Sequence, residues 1–368
     1  MANALHKQQQ FGLRGLSLEV LGTDACTACG SCVSICSSIL ALGDRIASVA
    51  ECGVDTGRCY HFCPRTVPFP ESAGLAGDLG YKGAVGSYLD YYIVRNVNLS
   101  ADNKYQYGGV VSTLMSRALE VGIIKGAVVT RSSNGFPYPV TASTREEILK
   151  AAGSKFALSP TNMEVNRAVN NPGANLGVVG LPCQCTSLKK MQLYPGKAEK
   201  EGAISIVLGL FCTWSLTQLG WYRLLKTIGK TDVDRVDLPP PPAEVMEIFS
   251  QGARHEIPLE EVKEQIRPGC HVCLDMTAEN ADISIGMVEG LPGHNTVIIR
   301  TEQGKFLFQS AVDAGQLEIS TLDDTRWQHL AEASISKKNR AINNAQNREE
   351  ALPYYKRIIK LKERIEKQ

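Results

Sequence analysis

The sequence contains no apolar run approaching the roughly 18 residues that read as a membrane span. Its first residues, MANALHKQQQFGLRG, lack the apolar stretch of a secretory signal. Charge of either sign is also missing in excess: the formal net charge is +1, so no bulk field draws the chain to nucleic acid or a lipid surface. No internal repeat is visible beyond the cysteine motifs. These absences point to a cytoplasmic protein with no direct membrane span and no nucleic-acid partner. They also remove the usual use of cysteine, because cytosolic thiols are kept reduced and do not build disulfide frameworks.

Against that background, twelve cysteines in 368 residues require a different chemistry. Metal binding or redox catalysis is what such a count favours in a reducing compartment. Seven of them (Cys26, Cys29, Cys32, Cys36, Cys52, Cys59 and Cys63) lie in the first 63 residues, and the other five (Cys183, Cys185, Cys212, Cys270 and Cys273) lie in the rest. This asymmetry predicts a small metal-binding module joined to a larger domain, and the length allows both. Hydrophobic residues at 43% and charged residues at 21% are ordinary for a chain that buries a core.

Residues 65–80, RTVPFPESAGLAGDLG, carry proline and glycine in a linker-like pattern. The expected division is therefore a module over residues 1–70, an α/β domain over 71–325, and a helical tail over 326–368. Within the domain, GGVVSTLMSRALEVGIIKGAVVT reads as a glycine turn, an amphipathic helix and a buried strand at 127–130. A helix is expected over 145–152. A strand is expected over 176–181, with a turn at Pro182 and a helix from about Cys185. AISIVLGLFC, ADISIGMVEG and NTVIIRT are further buried strands, and residues 239–242 form a stiff proline connector. Strands alternating with helices predict an α/β sheet. The tail is charged and helical, broken at Pro353, and reads as a solvated or partner-facing arm. The Lys and Arg pattern of KKNRAINNAQNR within it reads as a solvated helical face.

CTACGSCVSIC spaces Cys26, Cys29 and Cys32 two residues apart and places Cys36 three further on. Such spacing wraps three thiolates around one iron–sulfur cubane and turns the fourth toward a second cluster. Cys63, followed by Pro64, closes the first set: Cys26, Cys29, Cys32 and Cys63. The second set, Cys36, Cys52 and Cys59, is one thiolate short. Asp55 stands three residues after Cys52, where a cysteine is usual, but its distance to Cys59 is one residue too long. A carboxylate ligand, a three-iron cluster and an empty site all remain open, and Ser37 replaces the proline that usually follows the fourth cysteine. Zinc is the alternative for the whole segment, although zinc sites favour two separated CxxC pairs over such dense packing.

In the larger part, Cys183 follows one strand and Cys212 ends another, while GCHVC supplies Cys270 and Cys273. Carboxyl ends of parallel strands open into a common crevice where ligands gather. Convergence of Cys183, Cys212, Cys270 and Cys273 on one four-iron cluster is therefore the expectation. A thioredoxin-type dithiol is the alternative for the CxxC, but that motif opens a helix directly after a strand, whereas IRPGCHVC follows a polar segment. Cys185 reads as a small core residue. His271 and His61 read as neighbours rather than ligands.

Several blocks closely resemble the beta subunit of the coenzyme F420-reducing hydrogenase: QYGGVVSTLMSRALEVGIIKGAVV, AAGSKFALSPTN, GLPCQCTSLKKMQLYP, GLFC and GCHVCLDMTAENADISIGMVEGLPGHNTVIIRT. The resemblance covers residues 104–350. The cysteine-rich start looks like the ferredoxin-like extension of family members that feed electrons to deazaflavin dehydrogenases. The resemblance implies a mixed α/β flavin-binding domain, preceded by a small ferredoxin-like iron–sulfur module. It implies bound FAD, two to three [4Fe–4S] clusters and coenzyme F420 as substrate, with other subunits of a hydrogenase, dehydrogenase or reductase as partners. The family's cluster cysteines match Cys183, Cys212, Cys270 and Cys273. Its flavin blocks match Gly108, Gly109, Ser112, Thr113, Lys155, Ser159, Asn162, Asn295 and Thr296.

Some of this has an independent chemical rationale. A glycine pair opening a helix lets backbone N–H groups approach a phosphate, although a plain tight turn reads equally well. Lys155 would place positive charge near the flavin N1–C2 region, or would simply close its helix at the surface. The expected activity is hydride exchange between FAD and F420, with single electrons leaving through the clusters. The alternative is the same architecture serving a different acceptor, such as ferredoxin or another redox substrate. A relay subunit without flavin is a third possibility.

Overall fold

A computed structural model describes residues 11–66, 83–98, 105–194, 203–230, 232–239 and 242–346. The expected linker beyond Thr66, the centre of the proline connector and the break at Pro353 lie outside these residues.

The cysteine-rich start contains helix α1 (Leu13–Glu19), a hairpin of β1 (Ile39–Leu42) and β2 (Arg45–Ser48), and a single turn, α2 (Arg58–His61). The chain continues through β3 (Asp90–Asn96), α3 (Val110–Glu120), β4 (Gly126–Ser133), β5 (Phe136–Ala142), α4 (Arg145–Leu149) and α5 (Thr161–Ala168). Next come β6 (Leu176–Gly180), α6 (Pro182–Gln192), β7 (Ile204–Leu210), α7 (Gln218–Thr227), β8 (Arg235–Asp237), β9 (Val245–Ser250) and β10 (Ala253–Pro258). The last elements are α8 (Leu259–Lys263), β11 (Ile283–Met287), β12 (Asn295–Ile299), α9 (Glu302–Asp313), β13 (Leu317–Ser320) and α10 (Asp324–Gln346).

The α/β expectation holds as a mixed eight-stranded sheet in the order β13-β3-β12-β11-β7-β6-β4-β5. Its centre, β11-β7-β6-β4, is parallel, and both flanks are antiparallel. The central strands are apolar on both faces, as a sheet covered on each side requires. Val178, Ile206, Leu208 and Ile283 are fully enclosed. The main core packs α3, α9 and these strands together around Leu114, Met115 and Leu307.

Three expectations need correction. Pro182 is no turn but the first residue of α6, where its missing N–H would have had no intrahelical partner. The second is a separate antiparallel sheet, β10-β9-β8, which went unread because its alternating residues lie in a charged stretch. It carries its own apolar cluster with Trp221 and Leu224 of α7. The third concerns α10, which is not a solvated arm. Trp327 stacks on Tyr91 at 4.0 Å, and Ser334, Lys337, Lys338, Ala341, Ile342 and Ala345 are buried. Among the described residues no helix is long and apolar enough to cross a membrane.

Ala341, Ile342 and Ala345 share a core with Leu16, Val33 and Tyr60, so the C-terminal helix and the cysteine-rich start pack against one another. Gly30 sits where a Cβ would meet the Pro160 carbonyl at 2.5 Å, and its φ of +91° suits only glycine comfortably. Arg65 donates to the Gly269 carbonyl at 2.7 Å, and Arg267 is ion-paired with Asp44 of the hairpin turn.

Candidate functional site

A cavity of about 520 Å³ opens at the carboxyl ends of β4, β6, β7 and β11. That is where open α/β sheets gather ligands, and the volume suits a cofactor. The strand ends supply Thr130, Leu181, Phe211, Cys212 and Met287. The start of α3 forms one wall and the start of α10 another, through Arg326, His329 and Leu330. Sequence reasoning missed the α10 wall, because the apolar positions of that helix are interleaved with charges. It also missed Phe211 and Trp214, whose aromatic side chains carry no motif.

Gly109 precedes α3 with φ +68°, the left-handed conformation that glycine adopts without strain. A Cβ on Gly108 would meet Asn295 Oδ1 at 2.7 Å and the Val94 carbonyl at 2.8 Å. Asn295 is fixed in turn by donating to the Gly286 carbonyl at 3.0 Å. The helix therefore begins against the sheet, its first N–H, that of Val110, meeting Asn295 Oδ1 at 3.5 Å. Gly109, Ser112, Lys155, Ser159, Asn295 and Thr296 all line this space.

Gly108, Thr113 and Asn162 lie outside the lining. Gly108 packs on Asn295, and the Thr113 hydroxyl receives Asn96 Nδ2 at 2.7 Å. Asn162 is 0% exposed, donates to Ser31 Oγ at 2.9 Å, and its backbone N–H meets the Cys29 carbonyl at 3.0 Å. It thus holds the N-terminal cysteine loop. Lys155 is not the surface lysine that the plainer reading expected. Its ammonium caps the carbonyls of Ala151, Ala152 and Gly153, yet the side chain is half-buried, and burial lowers its pKa to about 8. Ser159 Oγ is enclosed with no hydrogen-bond partner among the described residues, an unspent polar atom at the cavity wall.

Cysteine thiols from distant stretches of the chain act on one another electrostatically. Burial first, then the neighbours Cys29, Cys273, Cys270 and Cys212, push the Cys183 thiol well above its ordinary range. Cys212 is raised to about 12 by burial, with Lys337 pulling it back. Cys273 alone of this set is lowered: burial opposes ionisation, but Lys337 and Arg65 outweigh it. In the N-terminal segment burial raises Cys32, with Cys29, Cys63, Cys26 and Cys59 adding to it. Cys59 is pushed up to about 11 by burial, with Cys36 and Cys52 beside it. Asp55 is exposed, and its backbone carbonyl receives the Phe11 N–H at 3.0 Å. Cys185 is buried in the core under Leu188 and Val207.

Among the described residues no group of three or more His, Cys, Asp or Glu is arranged to hold one metal ion. A single tetrahedral ion holds thiolates about 2.3 Å from itself, whereas a cubane spreads them over four iron atoms. Buried thiols that raise one another's pKa and are costly to ionise without a cation suit such a core as donors. The cavity likewise fits a flavin in its helix start, its half-buried cation and its unspent hydroxyl.

A mixed α/β sheet with a cavity at its strand ends, touched by Cys212, is an architecture shared by many activities, so the site and the relatives must decide. The coenzyme F420 hydrogenase/dehydrogenase beta subunit family matches in two parts, its N-terminal part over residues 94–165 and its C terminus over 173–325. The beta subunit of the coenzyme F420 hydrogenase of Methanothermobacter thermautotrophicus is 32% identical over 275 residues, covering 72% of this chain and 97% of that subunit. The chain belongs to this family. The coenzyme F420-dependent sulfite reductase of Methanocaldococcus jannaschii is 31% identical over 302 residues, and the matched part spans 78% of this chain but only 46% of that enzyme. A chain from the F420-reducing [NiFe] hydrogenase complex of Methanosarcina barkeri superimposes with a TM-score of 0.67 at 29% identity, covering 74% of this chain and 99% of that one.

Proposed function

We propose that this chain is an electron-transfer subunit that exchanges hydride between bound FAD and coenzyme F420 and passes single electrons through [4Fe–4S] clusters to a partner subunit. The observation that carries the proposal is the position of Cys212. It walls the cavity and is also a charge neighbour of Cys183, from the set that includes Cys270 and Cys273. A cofactor in the cavity and a cluster on these thiols would therefore share one residue as their boundary.

When bound, the flavin supplies the conversion between hydride and single electrons. The start of α3 presents backbone N–H groups to a phosphate, and the helix dipole favours negative charge there. Lys155 holds a positive charge at the wall below about pH 8. Ser159 offers its unspent hydrogen bond, and Phe211, Trp214 and Ile285 exclude water. Cys29 neighbours Cys183, so the N-terminal thiols continue the series outward. In this scheme Cys26, Cys29, Cys32 and Cys63 hold one further cluster. Cys36, Cys52 and Cys59 hold another, with Asp55 as fourth ligand or with three irons. The scheme divides the chain into a ferredoxin-like module over 1–70, a flavin domain over 71–325 and a tail over 326–368. Its partners are subunits of a hydrogenase, dehydrogenase or reductase in a reducing cytoplasm.

The test is anaerobic purification, with assay of iron, acid-labile sulfide and flavin, followed by viologen reduction driven by reduced F420. Iron, sulfide and FAD together with F420-driven turnover are expected. Zinc in place of iron, or full iron without flavin, would overturn the proposal. A flavin that reduced F420 leaves oxidised would assign the cavity to a different carrier.

A further inference from the structure

The two adjacent lysines of α10 are buried in different company. Lys338, 1% exposed, is ion-paired with the buried carboxylate of Glu279. Lys337, 3% exposed, donates instead to two backbone carbonyls, Cys212 O at 2.6 Å and Asp275 O at 2.7 Å, and forms no ion pair among the described residues. A buried ammonium is costly unless an anion compensates it. Asp275 is near, but its carboxylate is engaged by the Glu279 N–H at 3.0 Å. Besides the Asp275 carboxylate, the groups that favour the charge on Lys337 are the thiols of Cys273, Cys212 and Cys270 in their ionised form, as metal ligation would hold them.

Four thiolates more than cancel the charge of a four-iron core, and reduction adds another negative charge. A fixed cation hydrogen-bonded to the backbone of a cluster ligand stabilises the reduced form more than the oxidised one, because hydrogen bonds and charge near the sulfurs set cluster potential. We propose that Lys337 is the built-in counter-charge of the Cys183, Cys212, Cys270 and Cys273 site, raising the reduction potential of the cluster held there. The proposal presupposes iron at this site. One electron enters and one leaves, and no bond is made or broken. Lys337 acts through the cluster and is a positioning residue. Its location next to the cavity wall makes this site a favourable first acceptor for an electron leaving the cavity.

The test is potentiometric titration of the full-length, iron-loaded protein, followed by electron paramagnetic resonance, for wild type, Lys337→Gln and Lys337→Arg. Glutamine keeps hydrogen bonding to the carbonyls without charge, and arginine keeps the charge. In Lys337→Gln one titrating component is expected to shift to lower potential by at least a factor of ten in its reduced-to-oxidised ratio, about 59 mV for one electron. The other components stay in place, and Lys337→Arg stays near wild type. Unchanged potentials in Lys337→Gln at full iron content would overturn the proposal. Should Lys337→Gln lose iron, Lys337→Arg decides: iron retained at the wild-type potential supports the counter-charge, and iron lost in both reduces Lys337 to a packing element. Wild-type protein without iron or sulfide would instead refute the cluster itself, before any variant is compared.

Discussion

The proposed inner cysteine set, Cys183, Cys212, Cys270 and Cys273, and the proposed outer set, Cys36, Cys52 and Cys59, offer the same side chain in unlike surroundings. Lys337 and Arg65 face the inner set and draw Cys273 below its ordinary range, against the cost of burial. Around the outer set, Cys59 meets two further thiols, and the nearby surface exposes Leu40, Leu42, Val49 and Val54. The inner set is assembled from three distant stretches and clamped by α10. The outer set belongs to a short local segment. The lesson is that surroundings, more than ligand identity, assign each set a place: the inner one beside the cavity and the outer one toward the surface.

Removing a ligand from each set should break the comparison most severely. Cys270→Ser should block electron transfer from the cavity to all N-terminal thiol sites. The loss should exceed the 10–100-fold typical of removing a mere outer partner of a metal ligand. Cys52→Ser should leave flavin reduction by reduced F420 intact and stop only onward transfer. Stopped-flow absorbance separates the two, and equal effects would erase the distinction between inner and outer sets.

Lys338→Met tests the clamp. It strands the Glu279 carboxylate, which burial already pushes up to about 8. Breaking such a pair costs about 3–5 kcal/mol. Chemical denaturation should register the loss, and an unchanged midpoint would mean that α10 is held by apolar packing alone.

A smaller effect is expected at the cavity. Gly108→Ala places a methyl group against Asn295 and Val94 and should cost about 1–3 kcal/mol, together with flavin content. Thermal unfolding with a flavin assay checks both, and a stable variant with full flavin would show that α3 can shift.

The smallest effect concerns Lys155. Its folded pKa lies below that of a free lysine, so burial disfavours its charge. The unfolded chain holds the extra proton between about pH 8 and the ordinary lysine range, and stability should rise with pH across that window. Any anion it holds is bound below about pH 8 and released above it. Flavin affinity measured against pH should fall there in wild type, and Lys155→Met should flatten that fall. Parallel profiles would remove Lys155 from the site.

The dense N-terminal cysteines and the later CxxC pair were legible because local spacing is written along the chain. The central strands were legible because strands buried on both faces are apolar throughout, as in ISIVLGL. Lys337 and Lys338 were misread because a helical charge pattern reports neighbours one turn away, while their partners, Cys212 and Glu279, lie far off in sequence. Asn162 was grouped with the flavin blocks, yet its contacts are with the cysteine loop some 130 positions earlier in the chain.

The sequence by itself determined which residue types are available and at what local spacing: a dense N-terminal run of cysteines, a later CxxC pair, a glycine-opened helix and buried strands. Only the tertiary structure decided that the N-terminal loop rests on Asn162, that α10 closes the cavity, and that one buried lysine has a carboxylate while its neighbour faces thiols. Electrostatic partnership depends on distance in space, and burial amplifies it by removing water.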